Sequence, residues 1–317
     1  MKTFLKFIKS SPKLKTNFIL GLIFLSLLPA RNYYYSLNLS QDNPIVRPSN
    51  HQFLSISDYP VNYTNIKAPY LTAKSIIVID QNSKAIMHQK NPDLKLPLAS
   101  ITKIMTALVV LDNYQLDQVI TINTPENIGQ IMELEPGEEI TVKNLLYGLL
   151  VQSGNDAASA LANFHKEGEN GFVKAMNDKT RELNLKDTQF QNPAGLDSYG
   201  HYSTVHDIAI LAAIAMDNPT FKKMVNTKTI SVSDTTNTIT HDLETINELL
   251  GNLDGLIGVK TGWTELAGEC LVTYTKRGNQ EIITVILGSQ DRFGESTQLI
   301  EWAFNNHHWL EVPLATH

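Results

Sequence analysis

Apolar and polar positions alternate in different ways along the chain. The runs "SIIVID" (75–80) and "AIMHQ" (85–89), separated by "QNSK", predict a β-hairpin. From Ala99 to Leu111 the sequence is apolar almost throughout. That is too long for a strand and holds no Gly or Pro, so it predicts a buried helix starting near Ser100. "EEITVKNLLYGLLVQ" (138–152) predicts a short strand or turn followed by an apolar helix. "NDAASALANFHK" and "GFVKAMNDKTRELNL" predict two amphipathic helices separated around Gly168 and Gly171, and "STVHDIAILAAIAM" (203–216) predicts another. "TISVS" (229–233), "GECLVTYTKR" (268–277) and "EIITVILGS" (281–289) have strand composition, and Gly278–Asn279–Gln280 joins the last two as a hairpin. "GESTQLIEWAFNNH" closes the series as a helix. Strands at both ends with helices between them predict an α+β domain: an antiparallel sheet flanked by helices, with a helical insertion.

The N-terminal pattern is different. Lys2, Lys6, Lys9, Lys13 and Lys15 precede an apolar run from Phe18 to Ala30, and the first acidic residue is Asp42. A basic stretch before a short apolar core predicts that residues 1–30 are a signal peptide or an N-terminal membrane anchor. Leu28 stands where a cleavage site usually has a small residue, which keeps both readings open. Either reading puts the remainder outside the cytoplasm, with membrane contact only through this segment. Residues 31–70 contain Pro44, Pro48, Pro60 and Pro69 without sustained periodicity and read as a linker, leaving residues 71–310 as the folded domain.

Composition narrows the picture further. A net charge of −6 offers no basic surplus for nucleic acid. The single cysteine, Cys270, excludes an intramolecular disulfide and a thiolate metal cluster. His201 and His206 are five apart and no H-E-x-x-H occurs, so a zinc peptidase is not expected. No G-x-S-x-G elbow is present either.

One charge is out of place. Lys103 is the sole charged residue between Lys95 and Asp112, and Ser100 lies three residues before it. On a helix, three residues rise ~4.5 Å and return to nearly the same face. A serine hydroxyl needs a base to become a nucleophile, and lysine can be that base only when neutral. Burial among Ile101, Ile104, Met105 and Leu108, with a second cation nearby, would favour neutrality. A capping serine beside a lysine that reaches out to water would explain the pair equally simply. Two further motifs decide between these readings. Ser153–Gly154–Asn155 precedes a helix, where it could be only a cap. Lys260–Thr261–Gly262 precedes the terminal hairpin, where it could be only a turn. S-x-x-K, S-x-N and K-T-G in that order are the motif set of serine β-lactamases and penicillin-binding proteins.

The chain resembles the D-alanyl-D-alanine carboxypeptidases among the low-molecular-mass penicillin-binding proteins, peptidase family S11. "LASITKIMTALVVLD", "MELEPGEEITVKNLLYGLLVQSGNDAASALA", "MNDKTRELNLKDTQFQNPAGLD", "HYSTVHDIAIL" and "GVKTGWTELAGECLV" all read like segments of that family, over about residues 70–305. The resemblance implies a β-lactamase/DD-peptidase-like fold, no cofactor and no metal. It implies a peptidoglycan stem peptide as substrate and β-lactam antibiotics as covalent inhibitors. It implies that Ser100 attacks the penultimate D-alanine carbonyl, with Lys103 as base. Ser153 and Asn155 would line the opposite wall. Lys260 would supply positive charge, and Thr261 in its motif with Gly262 would bind the terminal carboxylate. The main-chain N–H groups of Ser100 and Trp263 would form the oxyanion hole. Arg292, in "SQDRFGEST", is a candidate extra carboxylate contact or simply a residue that starts a helix.

Departures from the family bear on the competing readings. Longer members carry a β-rich domain after the catalytic one, and none is expected here. Class A β-lactamases need a deacylating glutamate in E-x-x-L-N, and in the nearest look-alike, "TRELN", Thr180 takes its place. A β-lactamase is therefore disfavoured. A DD-endopeptidase acting on cross-links remains an alternative, and a non-catalytic wall-binding protein would not need the intact nucleophile.

Overall fold

The computed structural model describes residues 58–311. The expected signal or anchor segment, and most of the expected linker, lie outside these residues. No helix among them is long and apolar enough to cross a membrane.

The centre of the domain is a five-stranded antiparallel sheet in the order β3–β2–β10–β9–β8. Its strands are β2 (Ser75–Asp80), β3 (Ile86–Lys90), β8 (Leu256–Thr264), β9 (Gly268–Arg277) and β10 (Gln280–Ser289). Every residue of β2 is buried because both sheet faces are covered, which is why its sequence shows a continuous apolar run. Alternate residues serve opposite faces. Ile77, Ile79, Ile283 and Val285 join the large core under the central helices, and Ile76, Val78, Ile282 and Ile286 meet Leu299, Ile300 and Ala303 of the C-terminal helix.

A short 3-10 turn, Ala99–Thr102, leads into α1 (Lys103–Asn113), whose residues from Lys103 to Val110 are all buried. A helix enclosed on all sides needs apolar residues all round. The helical portion continues with α2 (Val142–Leu150), α3 (Asn155–Asn163), α4 (Gly168–Glu182), α5 (Val205–Asp217) and α6 (Pro219–Val225). Thr141 and Thr204 cap α2 and α5 through their hydroxyls. Two small antiparallel pairs flank it: β4 (Val119–Thr121) with β5 (Glu139–Thr141), and β6 (Thr229–Ser233) with β7 (Thr240–Glu244). The last helix among the described residues is α7 (Arg292–Asn306).

Two expectations need correction and one alternative is removed. The expected linker does not extend to residue 70: β1 (Tyr59–Asn62) pairs antiparallel with β11 (His307–Leu310). Tyr63 N–H also donates to Asn306 O, and Trp302 Nε1 donates to Ile66 O. Pro60 is tolerated because a proline at the edge of a sheet need not donate to the ladder. The K-T-G motif, expected just ahead of the terminal hairpin, lies inside β8 with Lys260 opposite Val272 of β9, so its alternative as only a turn does not hold. Finally, α4 starts at Gly168 and runs through Gly171, so only the first of these glycines separates the two helices.

Candidate active site

The turn at Ala99–Thr102, the N-terminus of α3 and strand β8 converge on one cleft of about 370 Å³, lined by Ser100, Ser153, Asn155, Thr261, Trp263 and Arg292 among others. Grooves of about 570 and 550 Å³ lie elsewhere on the surface, and neither contains Ser100. Thr180 lines the larger of these and takes no part in the cleft.

Ala99, with φ of 49°, and Ser153, with φ of 65°, both hold left-handed backbone that non-glycine residues seldom adopt. Such strain persists only where the surroundings over-determine the conformation. Around Ala99 the cause is visible. A Cβ on Gly262 would sit 3.1 Å from Leu98 O and from Ser100 N, so the glycine of K-T-G lets β8 approach the nucleophile's main chain.

Lys103 is fully buried, and its Nζ lies 2.9 Å from Ser100 Oγ, 2.6 Å from Asn155 Oδ1 and 2.9 Å from Ala194 O. Two of these partners, the Asn155 and Ala194 oxygens, can only accept. A neutral amine has two N–H groups and one lone pair, so those carbonyls take both hydrogens and the lone pair faces the Ser100 hydroxyl. The ammonium form fits as well, donating its third hydrogen to Ser100 Oγ. Burial lowers the Lys103 pKa from 10.5 to about 7, partly opposed by the negative charge of Asp156. The expected help from a second lysine falls on the other partner. Burial, then Lys103 and Arg292, hold Lys260 well below the ordinary lysine range.

Lys260 Nζ donates to Ser153 Oγ at 2.8 Å and to Thr261 O at 3.0 Å. Beside it, the buried Thr261 Oγ1 and the Arg292 Nε have no hydrogen-bond partner among the described residues. Arg292 is the first residue of α7, and its Nη1 donates to Gly262 O at 3.0 Å. Arg292 therefore starts the helix and also lines the cleft. Trp263, 60 % exposed, stands at the mouth.

Every residue predicted for the site is brought together here. Four supporting residues were not assigned to it by the sequence. The Asp156 carboxylate accepts the N–H groups of Met132, Leu134 and Ala157, which pins the 130–134 segment to α3. Asn155 Nδ2 donates to Ile128 O at 2.8 Å, so its Oδ1 points at Lys103. On the far side, Ala194 supplies the carbonyl for Lys103, and Asn192 closes the turn that contains it. His201 meets Thr102 Oγ1 through Nε2 at 2.8 Å, while the Gln191 N–H lies 3.2 Å from its Nδ1. This network makes Nε2 the protonated nitrogen and the donor. Burial holds His201 neutral, with a pKa of about 4. The nearby "NPAG" turn signal was available in the sequence, but nothing local there identifies Lys103 as its partner.

The family model for D-alanyl-D-alanine carboxypeptidase, peptidase S11, matches residues 62–291. The chain belongs to this family. It is 37 % identical over 245 residues to the D-alanyl-D-alanine carboxypeptidase DacF of Bacillus subtilis, covering 74 % of this chain and 63 % of that protein. It thus spans less than two thirds of that relative's length. A D-alanyl-D-alanine endopeptidase of Pseudomonas aeruginosa is 36 % identical over 251 residues, 78 % of this chain and 79 % of the relative. Among solved structures, the Streptomyces K15 DD-transpeptidase superposes with a TM-score of 0.72 at 32 % identity, covering 76 % of this chain and 100 % of that one. The D-alanyl-D-alanine carboxypeptidase of Mycobacterium tuberculosis gives 0.71 at 28 % identity, over 76 % and 94 %. The α+β, DD-peptidase-like fold expected from the sequence is the fold of these proteins.

Proposed function

We propose that the protein is a serine-type D-Ala-D-Ala carboxypeptidase that removes the terminal D-alanine from peptidoglycan stem peptides through an acyl-enzyme on Ser100. One observation carries the reading. A buried lysine hydrogen-bonded to Ser100 shares a cleft with Thr261 Oγ1 and Arg292 Nε, two buried donors left without partners beside Lys260. Buried polar groups are normally satisfied, and both residues line the cleft, where a substrate carboxylate is the partner this reading supplies.

In this reading the Ser100 proton passes to the Lys103 lone pair as Oγ bonds to the penultimate D-alanine carbonyl carbon. The main-chain N–H groups of Ser100 and Trp263 receive the oxyanion. Collapse breaks the C–N bond, and the proton returns from Lys103, by way of Ser153, to the leaving D-alanine amine. Lys103 then takes a proton from water as the water oxygen bonds to the ester carbonyl carbon, and it returns that proton to Oγ as the C–Oγ bond breaks and frees Ser100. Asn155 fixes the Lys103 amine and leaves one N–H for the stem peptide. Lys260, Thr261 and Arg292 hold the terminal carboxylate. β-Lactams acylate the same serine. The basic and apolar N-terminal segment supports a site of action outside the cytoplasm, which cell fractionation and N-terminal sequencing of the isolated protein would check.

A second reading has one specific support: relatives named D-alanyl-D-alanine endopeptidases match over 79 % of their length. Incubation with a pentapeptide ending in D-Ala-D-Ala and with a cross-linked muropeptide dimer separates the two. D-Alanine release from the pentapeptide, absent in Ser100→Ala, is expected. Cleavage of the dimer alone would favour the endopeptidase, and no turnover of either with no penicillin labelling would overturn both.

A further inference from the structure

Lys103 is hydrogen-bonded to a segment whose Asn192 does not line the cleft. Three hydrogen bonds fasten the segment 192–201 to the start of α1: Lys103 Nζ to Ala194 O at 2.9 Å, Thr106 Oγ1 to Pro193 O at 2.6 Å, and His201 Nε2 to Thr102 Oγ1 at 2.8 Å. Behind them, Asn192 Oδ1 accepts the N–H groups of Ala194 at 3.2 Å, Gly195 at 2.7 Å and Leu196 at 3.0 Å. Its Nδ2 donates back to Leu196 O at 2.9 Å.

The shortest of the Asn192 contacts, to Gly195 N–H, is informative. The Gly195 N–H and the Ala194 C=O belong to the same peptide unit, which is planar with its N–H and C=O on opposite sides. Gripping the N–H from one side therefore aims the carbonyl toward the other, where Lys103 Nζ receives it. Gly195 has φ of 88°, and a Cβ there would lie 1.9 Å from Ala99 O, so only glycine lets this peptide unit approach the turn that carries Ser100, and its orientation is left to the hydrogen bonds.

We propose that Asn192 is a positioning residue for the base: through the Ala194–Gly195 peptide plane it aims the Ala194 carbonyl at Lys103, so that the amine's remaining lone pair points at Ser100. The inference rests on the reading of Lys103 as the base. A mere loop-closing role would make the same contacts but would leave the protonation of Lys103 unaffected by the chemistry of residue 192.

The test uses the rate of Ser100 acylation by a fluorescent penicillin as a function of pH, in the wild type, Asn192→Ala and Asn192→Asp, with thermal melting alongside. In Asn192→Ala the carbonyl is released, and a misplacement on the scale of an ångström lowers the rate about 10²-fold in protein that still melts cooperatively. In Asn192→Asp one carboxylate oxygen still grips the three N–H groups while the other gives up the bond to Leu196 O, so the rate on the plateau recovers part of the loss. Its negative charge polarises the peptide toward Lys103 and favours the ammonium, which moves the acid limb to higher pH by roughly half to one unit. Asp156, the charged group that bears on Lys103, and Lys260, on which Lys103 bears, are unchanged in both variants, and His201 stays neutral throughout the range above its pKa of about 4. Rates and midpoints equal to wild type in both variants would overturn the inference. So would a loss of rate that follows loss of folded protein, with the Asn192→Asp midpoint unmoved. If the wild type itself is not labelled, the reading of Ser100 and Lys103 fails first and takes the inference with it.

Discussion

The two walls of the cleft are built on opposite terms. On the α1 side, Lys103 Nζ, Thr102 Oγ1, Thr106 Oγ1 and Asn192 all have partners within the protein. On the β8 side, Thr261 Oγ1 and Arg292 Nε are buried without any among the described residues. The first wall must have its geometry before substrate arrives, because a base misplaced by an ångström is a poor base. In the proposed reading the second wall is completed by what binds. Leaving buried donors unsatisfied costs stability, commonly about 1–3 kcal/mol each, and a bound carboxylate would recover it.

Substitutions on the two walls should therefore fail differently. The largest effect is at the centre: Ser100→Ala abolishes covalent labelling by penicillin, read as loss of the acyl adduct in intact mass. Lys103→Ala comes next, lowering the acylation rate by about 10³-fold, within the range for loss of a general base. Its residual rate loses the rise with pH through about 7 that the wild type shows as Lys103 gives up its proton. Residual acylation that keeps the wild-type pH midpoint would show that another group is the base.

Thr261→Val probes the second wall. It removes a hydroxyl that has no partner to lose, so the melting temperature stays level or rises. kcat/KM for a peptide with a free terminal carboxylate falls roughly tenfold to a hundredfold, and for a peptide whose terminus is amidated it changes far less. Equal losses on both peptides would break the contrast between the walls. The smallest effect is on the first wall. Thr102→Val strands the buried His201 Nε2–H and lowers stability by about 1–3 kcal/mol, measured by denaturant unfolding. A stability unchanged in Thr102→Val would mean that this wall is less tightly specified than its hydrogen bonds indicate.

How much of this was legible in the sequence depended on whether the determining contacts were local. The β9–β10 hairpin and helices α1, α2 and α5 were legible because apolar period, length and turn residues agree within each segment. The pairing of β1 with β11 was not, because Tyr59–Asn62 becomes a strand only by meeting His307–Leu310 from the other end of the domain. Helix α6 carried a readable signal, Asn218 before Pro219, and Asn218 Oδ1 does cap it. In the cleft, the residues with chemistry of their own were visible as motifs. Asn192 and Ala194 were not, since a turn-forming asparagine and an alanine carbonyl have no sequence signature for service to a distant lysine. The buried state of Lys103 was foreseen from its apolar neighbours. The placement of the lysine–lysine repulsion on Lys260 required the structure.

The account stands on the Lys103 amine being half neutral near neutral pH. The most direct measurement is the ¹³Cε chemical shift of Lys103 in protein labelled selectively at lysine, assigned by its absence in Lys103→Ala and titrated from low to high pH. A midpoint near the value of about 7 set by burial is the expected result. A midpoint near 10.5, the ordinary lysine value, would mean that Lys103 is an ammonium at working pH and cannot take the proton from Ser100.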